Sequence, residues 1–197
     1  MSDPILRVQG ISKGFPGVQA LKDVHLEVYA GEVLVLVGEN GAGKSTLMKI
    51  LSGIYAKDTG TIEFEGREVE LSSPLQAQEL GVTIIHQEMN LMPDLTVAQN
   101  IYVGREPTVG PFLSETKLNR QAAELLTRLD IKLNPKQLVG ELTVAKQQMV
   151  EIAKALSFNA KVLIMDEPTS ALTDSEGETL FPLSEQPTAR GNGIVYI

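Results

Sequence analysis

Gly38-Glu-Asn-Gly-Ala-Gly-Lys-Ser45 fits the pattern G-x-x-x-x-G-K-[ST] and follows the apolar run Val33-Leu-Val-Leu-Val37. That order predicts a strand, a tight glycine loop and then a helix over Ser45-Thr-Leu-Met-Lys-Ile-Leu51. Glycines at 38, 41 and 43 let successive N–H groups turn into one concavity. There, with the positive end of the following helix, they can hold phosphate oxygens. In such a loop Lys44 reaches the β- and γ-phosphates and the Ser45 hydroxyl is a ligand of Mg²⁺. Gly38, Glu39, Asn40, Gly41, Ala42, Gly43, Lys44, Ser45 and Thr46 are therefore candidate contacts of a nucleoside triphosphate. A chance match in a glycine-rich turn is the alternative, and the strand before and the helix after it count against that.

The rest of the composition narrows the class. With 197 residues, 43% hydrophobic and 21% charged, the chain can bury one substantial core and carry one insertion. It has no cysteine, which excludes disulfides, thiolate metal sites and a thiol nucleophile. His25 and His86 are the only histidines. A net charge of −8 without a Lys/Arg run gives no electrostatic footprint for nucleic acid, so none is expected as a partner. The N-terminus lacks a basic-then-apolar leader, and no apolar run approaches the roughly 18 residues that span a bilayer. Any membrane must be reached through a partner.

Along the chain, Ile5–Val8 and His25–Val28 read as antiparallel strands around the turn-rich Ser12-Lys-Gly-Phe-Pro-Gly17. Thr61–Phe64 and Glu68–Leu71 read as a hairpin of the same sheet. Ser73 and Pro74 open a short helix that ends at Gly81, and Val82–Ile85 follows as a buried strand. From about Thr96 to Phe158 the pattern turns helical: 96–103, then 117–129 with Leu118, Ala122, Leu125, Leu126 and Leu129 on one face as core packing, then 147–156. A helical insertion, at about residues 96–158, thus interrupts an α/β nucleotide domain.

A second constellation closes the buried strand Val162–Met165. Asp166-Glu167-Pro168 puts two carboxylates at a strand's C-terminal end, where open α/β sheets bind ligands. Asp166 can hold Mg²⁺ through water, while Glu167 can polarise a water for in-line attack on a γ-phosphate.

Gly38–Ser45, Gln87, the segment Leu142-Thr-Val-Ala-Lys-Gln-Gln-Met-Val-Glu-Ile-Ala-Lys-Ala-Leu156 and Val162-Leu-Ile-Met-Asp-Glu-Pro-Thr-Ser-Ala-Leu172 together resemble the ordered motifs of ATP-binding-cassette ATPases. The resemblance covers essentially the whole chain. Gly38-Glu-Asn-Gly, Ile84–Glu88, Asn100–Arg105, Gln148–Lys154 and Gly193–Ile197 are further similar to the ATPase subunits of bacterial monosaccharide importers. It implies a phosphate-loop α/β fold with an antiparallel β subdomain and an inserted helical subdomain, and ATP with Mg²⁺ as ligands. The implied partners are transmembrane permease subunits, a second cassette and, indirectly, a periplasmic sugar receptor. The expected location is the inner face of the cell membrane.

By the same resemblance Phe15 stacks on adenine. Gln87 links Mg²⁺ and the γ-phosphate to the helical insertion, and residues near 88–105 dock the membrane partner. Ser170-Ala-Leu-Thr173 lines the interface between cassettes. Thr143 and Ala145 cover the γ-phosphate held by the opposite cassette, with Val144 and Lys146 departing from the usual Leu-Ser-Gly-Gly-Gln. The γ-phosphate-sensing histidine expected just after a strand like Ile194–Ile197 has no counterpart here, since His25 and His86 stand in other elements. The expectation is an N-terminal portion of a longer, two-cassette protein that hydrolyses ATP slowly by itself. Pro182 and Pro187 predict an early end to the helix after Asp174.

Two other classes compete. A soluble cassette acting on nucleic acid or ribosomes calls for long charged insertions or basic patches, and neither is present. The other is a different phosphate-loop enzyme, a GTPase or a small-molecule kinase; a GTPase needs Asn-Lys-x-Asp, which is absent from the sequence.

Overall fold

The computed structural model describes residues 3–39, 41–85, 90–165 and 191–197. The elements in chain order are β1 (Leu6–Phe15), β2 (Val18–Val28), β3 (Val33–Val35), α1 (Lys44–Leu51), β4 (Thr59–Phe64), β5 (Arg67–Glu68), α2 (Pro74–Leu80) and β6 (Val82–Ile85). They continue with α3 (Val97–Tyr102), β7 (Thr108–Val109), β8 (Phe112–Leu113), α4 (Glu115–Arg128), α5 (Val144–Leu156), β9 (Val162–Met165) and β10 (Gly193–Tyr196). These fall into two compact units, one holding β1 to β6 with β9 and β10, the other holding residues 90–159.

The first unit has two sheets. The antiparallel one runs β2-β1-β4-β5 and the parallel one β3-β10-β9-β6. Strand β9 carries no polar residue, and all four of its side chains are buried, as the uninterrupted apolar run predicts. One apolar cluster joins Leu6, Val8 and Val28 of the first sheet, Met48, Ile50 and Leu51 of α1, and Val162, Ile164 and Val195 of the second. Strand β10 starts hard against this cluster. A Cβ on Gly193 would lie 2.6 Å from Val28 Cγ1 and 2.9 Å from Ile5 Cδ1, so only glycine lets the two sheets close there. Helix α2 has the ends its sequence predicts: Ser73 Oγ accepts the Gln76 N–H at 3.2 Å, Pro74 stands in the first turn, and Gly81 ends it at φ 104°.

The expected short strands around a turn at 12–17 are in fact one long hairpin. Strand β1 continues to Phe15 and β2 begins at Val18, leaving Pro16-Gly17 as the turn. The turn-forming composition of Ser12-Lys-Gly is absorbed by register shifts between Val8 and Gly14, which bend the ladder without ending it.

In the second unit α3 packs on α4 and on α5. The apolar stripe of α4 is buried at Leu118, Ala122, Leu125 and Leu126, which is the core role its spacing predicts. Asn100, 1% exposed, organises the segment before α3. Its Oδ1 accepts the Met92 N–H at 2.8 Å, and its Nδ2 donates to Met92 O, Leu95 O and Thr96 O at 3.0–3.2 Å. Asn90 N–H donates to Glu151 and Lys154 Nζ to Asn90 O, tying the same segment to α5. Asn100→Ala takes the partner from half-buried backbone groups at Met92, Leu95 and Thr96. The expected cost is about 2–4 kcal/mol, read as a lower urea midpoint at unchanged slope.

Candidate functional site

The site is built from the C-terminal edge of the parallel sheet. Val35 of β3 pairs with Tyr196, and Met165 of β9 pairs with Tyr196 from the other side and with Ile85 of β6. Three chain segments therefore leave the sheet at one edge, with β3 and β9 two strand spacings, or about 10 Å, apart. The first carries the glycine loop, and the others lead into 86–89 and 166–167. Asn40, Gln87, Asp166 and Glu167 lie outside the described residues, as do Ser170–Thr173, Pro182 and Pro187.

The loop closes on itself through Ala42 N–H to Glu39 O at 3.1 Å, with Gly41 at φ 86° and Gly43 at φ 89°. Gly43 is the N-cap of α1. Among the described residues no side chain caps the helix, and no acid stands in its first turn, so the positive end of α1 can face an anion. Gly43 also has to be glycine for space: a Cβ there would sit 2.5 Å from Ala20 O and 2.7 Å from Leu21 Cδ2. The loop thus rests on the backbone of β2. Lys44 folds back, its Nζ donating to Gly38 O at 2.6 Å and Glu39 O at 3.1 Å. This keeps the ammonium at the loop, where an incoming phosphate oxygen would replace carbonyls as its partner. Ser45 is exposed at the start of α1 and its hydroxyl makes no bond among the described residues, which suits a metal ligand; Thr46 beside it is half-buried.

Phe15, at the end of β1, is 38% exposed. Its ring meets Tyr55 edge-on, centroids 5.4 Å apart at 68°, and the Lys13 ammonium stands 5.7 Å from its centroid. Lys13 Nζ and the Gly14 N–H both donate to Asp58, at 2.7 Å each, and together they hold that carboxyl below the usual carboxylate range. Sequence reasoning missed Tyr55 and Asp58. The only signal for them is that the link from α1 to β4 is too short to leave the neighbourhood of β1.

Thr143 is the N-cap of α5, which starts at Val144, three residues before the predicted Gln147; its Oγ1 accepts the Lys146 N–H at 3.5 Å. Thr143 is exposed and Ala145 half-buried. Both belong to the second unit.

This geometry defines a phosphate-loop nucleotide-binding domain of the α/β class. Residues 21–170 match the ABC transporter family, and the chain belongs to that family. It is 59% identical over 98% of its length to a protein of Burkholderia ambifaria named as ribose/galactose/methyl galactoside import ATP-binding protein 3. A protein of Albidiferax ferrireducens with the corresponding name is 56% identical, again over 98% of the chain. The chain spans 38% and 39% of the length of these two relatives. Among solved structures it superposes on the ATP-binding cassette MJ1267 in its ADP conformation with a TM-score of 0.85 at 26% identity, covering 100% of this chain and 81% of that one. It also superposes on cbiO1 of Clostridium perfringens, part of the complex cbiONQ, with a TM-score of 0.83 at 27% identity, covering 100% of this chain and 78% of that one. No helix among the described residues is long and apolar enough to cross a membrane.

Proposed function

We propose that the chain is an ATP-hydrolysing cassette that powers sugar import through membrane permease subunits, working at the inner face of the membrane against a second cassette. The observation that carries this reading is the glycine-turned start of α1, capped by no side chain among the described residues, on the edge shared with the tips of β9 and β6. The names of the relatives supply the cargo class.

In this reading the first-turn amides and Lys44 bind the β- and γ-phosphates, and Phe15 takes the adenine. Glu167 accepts a proton from the attacking water, and Gln87 would link Mg²⁺ and the γ-phosphate to the helical insertion. Ser45, Asp166 and Gln87 would hold Mg²⁺, which neutralises charge on the phosphates when bound. Residues 96–158 form the helical insertion. Thr143 and Ala145 close over the opposite cassette's nucleotide, and residues 88–105 meet the permease. A periplasmic receptor selects the sugar.

Two measurements test it. Glu167→Gln is expected to retain Mg·ATP binding while losing hydrolysis by about a hundredfold or more. Retained turnover would assign the base elsewhere. Deleting the coding sequence in its host is expected to abolish uptake of labelled ribose, galactose or methyl galactoside, restored by the wild type and not by Glu167→Gln. Undiminished uptake of all three would overturn the sugar-import reading and leave the ATPase reading standing.

A further inference from the structure

Strand β1 outruns its neighbour. Its pairing with β4 stops at Ser12 and Thr59, so Lys13, Gly14 and Phe15 have β2 on one side and no strand on the other among the described residues. A single residue takes the place of that strand. Asp58 donates its N–H to Ser12 O at 3.0 Å, accepts the Gly14 N–H on Oδ2 and accepts Lys13 Nζ on Oδ1. The three residues immediately before the Phe15 ring are thereby fixed from one point. The Lys13 side chain is only 17% exposed, so its ammonium is held between the carboxylate and the ring.

Tyr55 braces the ring from another direction. Its N–H donates to Lys49 O near the end of α1, and its own ring meets Phe15 edge-on. An aromatic at the end of an unpaired strand edge would otherwise fray with the backbone that carries it. Here the backbone is anchored while part of the ring stays open to solvent. Stacking on a flat base rewards that arrangement, because a platform already in place loses little conformational freedom when the ligand arrives.

We propose that Asp58 is a positioning residue for nucleotide recognition: by holding the Gly14 N–H and the Lys13 ammonium it fixes the end of β1 so that Phe15 presents its ring to the base. This rests on the reading of Phe15 as the base platform. Asp58 acts on the base through that ring and makes no demand on the phosphates.

The test compares binding of Mg·ATP with binding of inorganic Mg·tripolyphosphate, which has no base, to the wild type, Phe15→Ala, Asp58→Ala, Asp58→Asn and the double alanine variant. Phe15→Ala should weaken ATP about tenfold and leave tripolyphosphate unchanged. Asp58→Ala should weaken ATP about three- to fivefold with tripolyphosphate again unchanged, which also shows the phosphate loop intact. The double variant should be no weaker than Phe15→Ala alone. Asp58→Asn keeps one acceptor, should lose less, and carries the test if the alanine variant does not fold. If Phe15→Ala loses ATP selectively while the Asp58 variants bind it as the wild type does, the positioning role is overturned and the platform reading stands. Equal loss of ATP and tripolyphosphate in both Asp58 variants also overturns it, since the effect is then on the whole domain. If Phe15→Ala leaves ATP unchanged, the platform reading itself fails and takes the Asp58 role with it.

Discussion

Lys44→Ala removes most ATP binding: the expected loss is about 3 kcal/mol, on the order of a hundredfold in Kd, measured by titration calorimetry with Mg·ATP. The reason is electrostatic. The triphosphate brings several negative charges to a loop whose other donors are neutral amides, and Lys44 is the cation that the loop itself carries. The ammonium is already partnered without ligand, by Gly38 O and Glu39 O. Phosphate must therefore replace two carbonyls, and the net gain is smaller than the gross strength of an ammonium–phosphate contact. The same two bonds brace the loop, so alanine also loosens the concavity. That loosening is local: the Lys44 side chain is half-buried and takes part in no ion pair among the described residues. The thermal midpoint without nucleotide should fall by no more than a few degrees. Lys44→Arg separates the two effects. It keeps the charge but cannot place a compact ammonium between the same carbonyls, so it should recover only part of the affinity. Unchanged ATP affinity in Lys44→Ala would move the phosphate site away from this loop.

Features written in contiguous residues were legible in the sequence. The glycine loop is eight consecutive residues behind an apolar run, and its glycines at 41 and 43 each take a positive φ. The ends of α2 are local hydrogen bonds between residues three or four apart, so Ser73, Pro74 and Gly81 announce them. Strand β9 and the stripe of α4 follow from apolar periodicity alone. What escaped depends on residues distant in the chain. The stretch Ser12–Gly17 has turn composition, and it remains strand up to Phe15 because β2 pairs with it on one side and Asp58, 44 positions from Gly14, holds the other. The hairpin β7–β8 has two-residue strands, too short for any alternation to register, with Val109, Phe112 and Leu113 exposed. Over residues 33–36 only the alternate Leu34 and Leu36 pack on the core, while Val33 and Val35 are exposed. An unbroken apolar run does not reveal that only one face of the strand packs on the core.

The dependence of the site on a distant strand gives the other large expected effect, in Gly43→Ala. Two penalties meet at this residue. Its φ of 89° with ψ of 0° is a left-handed conformation that costs an L-residue about 1–2 kcal/mol. Its Cβ would also fall 2.5 Å from Ala20 O and 2.7 Å from Leu21 Cδ2, and the first of these is backbone within the β1–β2 ladder, which cannot swing aside as a side chain can. Either the loop lifts off β2 or β2 shifts and disturbs the buried Leu21. The expected loss of stability is about 3–5 kcal/mol in urea denaturation, with ATP affinity at least about tenfold weaker because the α1 amides move with the loop. Gly41→Ala is the internal control. Gly41 has nearly the same φ, 86°, but its Cβ would meet nothing within 4 Å, so only the conformational penalty of about 1–2 kcal/mol applies. The difference between the two variants therefore measures how hard the phosphate loop is pressed against β2. Equal stabilities would mean that the loop does not rest on that strand, and that the antiparallel sheet plays no part in holding the nucleotide site in shape.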